Sequence, residues 1–503
     1  MERWLRLSFL ALLTLLVIWL LKLSVGKSKP ARKQLPPGPW TLPIIGSLHH
    51  VAGALPHRTL LQLSRRHGQL MHLMLGEVPA VVVSSPEAAA LVMKTNDLAF
   101  AGRPRGVTLD IFSSGGRGIA FAPYGDHLRH GAPQLHAGET HGGHQGRGGW
   151  QPPPRHHGRC SAGHTINVSE KVMALSNDVV TRAVFGGKFS QQGEYLCELD
   201  KAFKMLGGFC LVDLFPSSRL VRWLSNGERQ MKKSCGGMQR IISEIIDERK
   251  SARAAGIGAS GTDDEDLLDV LLRLQKEDSL EFPLTTETIC AVLFDMFAGA
   301  TETTSTTLAW AMSELGRSPE IMDKAQQEIW EVLAEGRSVI TNNNLVKLHY
   351  MQMVIKETLR LHPPISLIPR SAREDCTVMG YDIPKGTNIY INAVAISQDP
   401  KNWDNPREFR PERFENINLN YNGTYFEFIP FGAGRRQCPG IQFGSSVMEM
   451  ALTNFLYHFN WRLPDGSSLV SFDMSEKFGL AVSRRYDLQL RAIPHVWSKQ
   501  TSM

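Results

Sequence analysis

Apolar positions along this chain follow three different rhythms, and each predicts a different kind of element. Residues 7–21 (LSFLALLTLLVIWLL) are apolar throughout apart from Ser8 and Thr14. With Trp4 and Leu23 beside it, the run is just long enough to span a bilayer as a helix. Beyond it, apolar residues recur at three- and four-residue intervals, which predicts helices over 239–249, 267–275, 286–315 and 321–334. Short β-branched or alternating runs at 80–84 (AVVVS), 381–384 (YDIP) and 388–392 (NIYIN) predict strands. The expected body is mainly α with small β-sheets. Residues 35–46 (LPPGPWTLPIIG) carry closely spaced prolines and predict a stiff, non-helical hinge. The expected organisation is an anchor at 1–23, a basic linker and proline-rich hinge at 24–46, and one folded body at 47–503, with no internal repeat.

Charge sharpens the N-terminal reading. Lys22, Lys27, Lys29, Arg32 and Lys33 follow the apolar run, against Arg3 and Arg6 before it. That bias predicts a single span with its C-terminal side in the cytosol. A cleaved signal peptide fits less well, because basic residues rather than a small-residue cleavage site follow the run. The formal net charge of +6 is modest and forms no basic stripe, so no nucleic-acid partner is expected. Cys160, Cys197, Cys210, Cys235, Cys290, Cys376 and Cys438 are odd in number, scattered and free of any CxxC. This points to a reducing compartment and leaves the sequons at Asn167 and Asn422 incidental. The letters GIGASG at 256–261 match a dinucleotide pattern, but they follow the charged helix end ERKSARAA, not a strand. They are read as an interhelical loop. No nicotinamide site is then available, so any reducing electrons must come from elsewhere.

The chemistry gathers in FGAGRRQCPG, residues 431–440. A cysteine ligates haem iron as a thiolate, which needs nearby donors and positive charge. Gly434 and Gly440 are expected to let backbone N–H groups approach the sulfur, Arg436 to pair with a haem propionate, and Phe431 to exclude water. A lone cysteine is ordinarily an inert buried residue. Five constrained positions in the spacing Phe-x-x-Gly-x-Arg-x-Cys-x-Gly outweigh that reading.

Phe431, Gly434, Arg436, Cys438 and Gly440 resemble the haem-binding signature of the cytochrome P450 family. Further stretches agree with it. In KETLR, Glu357 and Arg360 stand three apart on a helix and can pair. The resemblance implies that they are buried and joined by Arg413 of Pro411-Glu412-Arg413-Phe414. In AGATETTSTT, Glu302 and Thr303 resemble the family's acid–threonine pair, where the helix bulges over haem to leave a groove for dioxygen. Most of the neighbouring threonine hydroxyls are expected to bond their own helix carbonyls. Ala300 stands where many relatives have glycine. Arg370 resembles a further propionate contact. The stretches LPPGPWTLPIIGSLHH, VIKETLRLHPP and FRPERFE read like plant microsomal members of specialised metabolism.

The resemblance implies a haem b monooxygenase that inserts one oxygen atom from O2 into a lipophilic molecule, a terpenoid or phenolic lipid by analogy. It implies electrons from NADPH-cytochrome P450 reductase, with cytochrome b5 as a further partner, at the endoplasmic reticulum membrane, catalytic domain facing the cytosol. Apolar segments around 111–112, 209–210, 367–368 and 480 are expected to line the substrate pocket. A haem-thiolate isomerase or dehydratase is the alternative class; Glu302 and Thr303 count against it.

Residues 130–160 depart from the pattern. They are crowded with Gly, His and Pro and lack helical periodicity. A metal site is weakly supported, since the histidines are irregularly spaced, and a disordered insertion is a second reading. The favoured one is that two compensating frame changes replaced a helix beginning Trp-Arg-x-x-Arg. Arg129 alone survives of its propionate contacts. Translating the other frames of the gene tests this: absence of such a helix in every frame disposes of it. A chain carrying this stretch is expected to hold haem loosely, and a catalytically impaired haem protein is therefore another reading.

Overall fold

The computed structural model describes residue 14 and residues 34–53, 55–125, 164–207, 209–255, 265–277, 283–333, 340–417, 419–464 and 472–496. The expected span at 7–21, apart from Thr14, lies outside these residues, as do Arg129, the stretch 130–160 and the letters at 256–261. Among the described residues no helix is long and apolar enough to cross a membrane.

The body is mainly helical. Its longer helices are α1 (Pro56–His67), α2 (Val168–Phe185), α3 (Gln192–Met205), α4 (Gly227–Ala254), α5 (Leu267–Glu277), α6 (Thr286–Arg317), α7 (Pro319–Leu333), α8 (His349–Leu361) and α9 (Ile441–His458). The periodicity at 239–249 foretold only the second half of α4. Its first half buries Met231, Ser234, Cys235 and Met238, a stripe whose small and polar members and adjoining Gly236–Gly237 pair blur the apolar signal.

The strands are β1 (Leu70–Leu75), β2 (Val78–Val83), β3 (Thr165–Asn167), β4 (Leu367–Ser371), β5 (Cys376–Val378), β6 (Tyr381–Ile383), β7 (Asn388–Asn392), β8 (Phe459–Arg462), β9 (Glu476–Lys477), β10 (Ser483–Arg484) and β11 (Gln489–Pro494). The largest sheet has the order β1-β2-β7-β4, with β3-β11-β8 and the pairs β5-β6 and β9-β10 beside it. Every residue of β7 is buried, as suits a strand with neighbours on both edges and packing on both faces. In β4 the two-residue period puts Ile368 and Arg370 on the same, buried face. The sheet thereby carries a guanidinium inward.

Helix α6 is the spine of the molecule. Its C-terminal half (Leu308, Met312, Leu315) enters one core cluster with α8 and α9. Its N-terminal half (Ile289, Phe294, Phe297) enters another with α3 and α4. Thr285 starts it by accepting a hydrogen bond from the Thr288 N–H at 3.2 Å. The segment from residue 34 to 46 is non-helical. It lies along β1, where the His72 N–H donates to the Pro37 carbonyl at 2.9 Å.

Candidate active site

Between Thr288 and Leu315, α6 is buried everywhere except at Met296, Gly299, Ala300 and Thr303. Those positions are spaced i, i+3, i+4, i+7, so they form one stripe on one face of the helix. A helix walled by protein on its other faces is left uncovered along this stripe. The helix runs unbroken through it. Within it the Thr303 hydroxyl donates to the Gly299 carbonyl at 2.8 Å, and Thr307 repeats the pattern on the Thr303 carbonyl at 2.9 Å, as expected of most hydroxyls here. Ala300 and, from the first turns of α9, Phe443 pack against the same cluster, so the stripe and the cysteine loop face a common region.

Cys438 lies just before α9. It has exposed surface, yet surrounding protein pushes its thiol pKa up, opposed by a hydrogen bond from the Gly440 N–H. Accessible surface combined with desolvation is what a side chain shows when it faces an enclosed cleft. The Cys438 N–H donates to the Phe431 carbonyl at 3.0 Å. Phe431 meets Tyr421 edge-on at 5.1 Å.

The two glycines of the loop do different things. Gly440 brings its N–H to the sulfur, as expected. Gly434 does not: its φ is +67°, and a Cβ there would run into the Met93 carbonyl and the Asp97 carboxylate. It is required by the turn and by the close passage of the distant segment 93–97, a constraint invisible in the spacing.

Three buried guanidiniums gather beside the loop. Arg436 donates through Nε to the Ala101 carbonyl at 2.9 Å and through Nη2 to the Ala122 carbonyl. Arg370 reaches the Arg436 carbonyl at 3.1 Å. Arg103, which the sequence reading missed, donates to the Ala120 carbonyl at 2.8 Å and the Pro369 carbonyl at 2.7 Å. Burial, then the nearby Arg436 charge, lowers the Arg370 pKa to about 9. Burial lowers that of Arg436 to about 10. Arg103 is pushed down by burial and then by the other two. Among the described residues none of the three hydrogen-bonds a carboxylate, although Asp295 near Arg103 and Asp97 near Arg370 partly oppose the lowering. Three like charges gathered in protein, none directly paired with a carboxylate, are costly, so the cluster suits an anionic group.

Behind the loop, Glu357 and Arg360 make a bidentate pair at 2.6 and 2.8 Å, both side chains fully buried. Arg413 joins through Nε on Glu357 Oε1 at 2.9 Å. The spare donors are spent on backbone: Arg360 bonds the Ser397, Pro406 and Glu408 carbonyls. Arg413 bonds those of Asp404, Asn405 and Glu408. The three charges thus pin the segment 397–410. Both guanidiniums lie over Trp403, at 5.1 and 6.0 Å from its ring.

Glu302 is 8% exposed. Its pKa is raised to about 7, first by burial and then by Asp200, with Lys477 and Lys204 opposing.

The sequence profile of the family described as Cytochrome P450 matches residues 36–135 and 155–489. The chain belongs to the cytochrome P450 family. Among the P450 relatives it resembles, ent-isokaurene C2/C3-hydroxylase of Oryza sativa subsp. japonica is 43% identical, covering 97% of this chain and 98% of that protein. Zealexin A1 synthase of Zea mays is 42% identical over 94% and 95%. Premnaspirodiene oxygenase of Hyoscyamus muticus is 39% identical over 98% of both. A solved zebrafish cytochrome P450 structure with abiraterone shares the fold, at a TM-score of 0.69 and 24% identity, covering 88% of this chain and 99% of that one. The chain is therefore a P450 monooxygenase with haem b as its cofactor.

The residues present fit that cofactor. A thiol open to a cleft can meet iron, and the guanidinium cluster, short of carboxylates, matches a group bearing two propionates.

The expected pocket lining is redistributed. Phe112 is a core residue, 4.8 Å edge-to-face with Phe294. Ile368 is buried in the sheet cluster, and Phe209 and Leu367 pack beside β1 and β2. Ile111 and Leu480 do pack against the same core cluster as Ala300, as do Ile119, Phe121 and Ile365. The last three lay in segments without a periodic signal.

Proposed function

We propose that this P450 inserts one oxygen atom from O2 into a lipophilic terpenoid, with Cys438 as the residue whose thiolate would hold the haem iron. The observation that carries the reading is the pairing of an accessible, desolvated Cys438 thiol with the guanidinium cluster of Arg103, Arg370 and Arg436, whose hydrogen bonds among the described residues go to backbone carbonyls and not to carboxylates. Haem iron, when bound, supplies the binding and reductive activation of dioxygen. The chain supplies the rest. Gly440 donates its N–H to the sulfur and favours the thiolate. Arg103, Arg370 and Arg436 would hold the propionates. Glu302, poised near neutral pH, and Thr303, on the open stripe, take up and pass protons toward the oxygen site. Apolar residues such as Ile111 and Leu480 exclude water and favour a lipophilic substrate. The relatives named for ent-isokaurene, ent-cassadiene and premnaspirodiene support the terpenoid class.

Electrons come from NADPH through a membrane-bound reductase, with cytochrome b5 as a second donor. A single N-terminal span at the endoplasmic reticulum holds the catalytic body, residues 47–503, on the cytosolic side. Its support is the apolar run 7–21 and the basic residues after it. Cys438→Ala should abolish the reduced carbon-monoxide band of thiolate-ligated haem; an unchanged spectrum refutes the ligand assignment.

A second reading, a P450 impaired in holding its haem, is supported by the break in the family match between residues 135 and 155. It predicts substoichiometric haem in the purified chain, against full occupancy for a competent enzyme.

A further inference from the structure

A cleft of about 460 Å3 lies between α1 and the segment 397–410 that Glu357, Arg360 and Arg413 pin. Its lining includes Arg65, Gln398, Asn405, Pro406, Arg407 and Glu408. The sequence of α1 sets one wall. Arg58, Leu61 and Arg65 recur at spacings of three and four, so they share one face of the helix. Leu61 is buried against Val394 and Ala395, and Arg58 Nη1 donates to Gln398 Oε1 at 3.3 Å. That face therefore lies over 394–398 and carries Arg65 to the cleft. Arg58 is paired with Glu476 at 2.7 Å. Arg65 is exposed, and among the described residues its side chain has no hydrogen bond or ion pair.

The opposite wall is a turn. The Glu408 N–H donates to the Asn405 carbonyl at 3.0 Å. Asn405 has a φ of +43°, in the left-handed region that asparagine tolerates. Arg360 and Arg413 take up the carbonyls of Asn405, Pro406 and Glu408, so the turn is fastened from within. Its Arg407 and Glu408 side chains are exposed and, like that of Arg65, unbonded among the described residues. Gln398, 5% exposed, brings a buried amide to the same cleft.

These groups ask for a composite ligand. Two guanidiniums suit an anion, because their planar forks match phosphate oxygens. The Glu408 carboxylate only accepts hydrogen bonds and repels a bare phosphate. A ligand that satisfies both carries a phosphate at one end and hydroxyl donors at the other. The cleft is roomy enough for such a molecule.

We propose that the cleft between Arg65 and Arg407 binds the phosphate ester of a polyol, its phosphate on the two guanidiniums and its hydroxyls on Glu408 and Gln398. None of these side chains takes part in the function proposed above.

Exposed arginines are common on protein surfaces, so the test separates a site from surface charge. Titration calorimetry of the full-length protein as purified compares two soluble esters with inorganic phosphate. Glycerol 3-phosphate stands for a free ester, and glycerophosphoinositol for the headgroup of a lipid. At least one should bind about tenfold or more tightly than inorganic phosphate. Whichever is the tighter names the source, and either supports the site. Arg65→Ser and Arg407→Ser should each weaken that ester about tenfold or more. Glu408→Gln should weaken it about fivefold yet strengthen inorganic phosphate, because an acceptor and a repelling charge are both removed. All three side chains are exposed, so the variants should melt within about 2 °C of the parent. The proposal is overturned if neither ester outbinds inorganic phosphate, or if either arginine variant binds as the parent does. It is also overturned if Glu408→Gln strengthens ester and phosphate alike, which marks surface charge only.

Discussion

Replacing Glu357 by glutamine tests whether three charges act as one lock. The side chain keeps its shape but loses its charge, and one of its two acceptor oxygens becomes a donor. In the structure that carboxylate accepts four hydrogen bonds: from Arg360 Nε at 2.6 Å, Arg360 Nη2 at 2.8 Å, Arg413 Nε at 2.9 Å and the Arg410 N–H at 2.9 Å. The substitution leaves Arg360, fully buried, and Arg413, 4% exposed, without a counter-ion. Removing one partner from a buried ion pair costs about 3–5 kcal/mol. For 503 residues the unfolding entropy is about 1 kcal/mol per kelvin, so the melting temperature should fall by about 4 °C. Differential scanning calorimetry of the haem-loaded protein measures this. Arg413→Gln in the Glu357→Gln background should cost less than in the parent, with a coupling of about 1–3 kcal/mol, because it removes one of the stranded charges. A fall below about 1 °C, or strictly additive effects in the double variant, would refute the lock.

Two further outcomes follow from the site. The Glu302 pKa is raised to about 7, so burial penalises its charged form. The sign runs accordingly: stability is greatest below the ordinary carboxylate pKa of about 4.5, declines up to about pH 7 and is then level, a loss of about 3 kcal/mol. Glu302→Gln cannot ionise, so it should melt about 3 °C higher than the parent at pH 8 and level with it at pH 4.5; a pH-independent difference defeats this account. Gly434→Ala places a side chain at φ +67° against the Met93 carbonyl. The left-handed conformation alone costs about 1–2 kcal/mol, and the collision should displace Arg436 with Cys438. The ratio of haem to protein absorbance should therefore drop; full haem retention would show that the turn tolerates a Cβ.

Much of the molecule was legible locally. The apolar period over 286–315 anticipated α6 to within two residues of its end at Arg317, and NIYIN anticipated β7 to the residue. Both signals arise from one face or one run repeating at a fixed interval, so neighbours in sequence suffice. The spacing Glu357 to Arg360 likewise sets a pair on one helix face. The first half of α4 escaped because its buried face is made of residues such as Ser234 and Cys235 that carry little apolar contrast.

By itself, then, the sequence determined the helical body, the cysteine loop and the Glu357–Arg360 pair, since each depends on residues within about one turn of one another. Tertiary structure alone decided the rest. Arg413 reaches Glu357, Arg103 joins Arg370 and Arg436, and Asp295 grips Ile119 only because distant segments pack together. Burial decides what those meetings mean: a guanidinium beside backbone carbonyls is ordinary in water and an anion site when desolvated. No local spacing reports desolvation, because it is the summed effect of everything folded around the group.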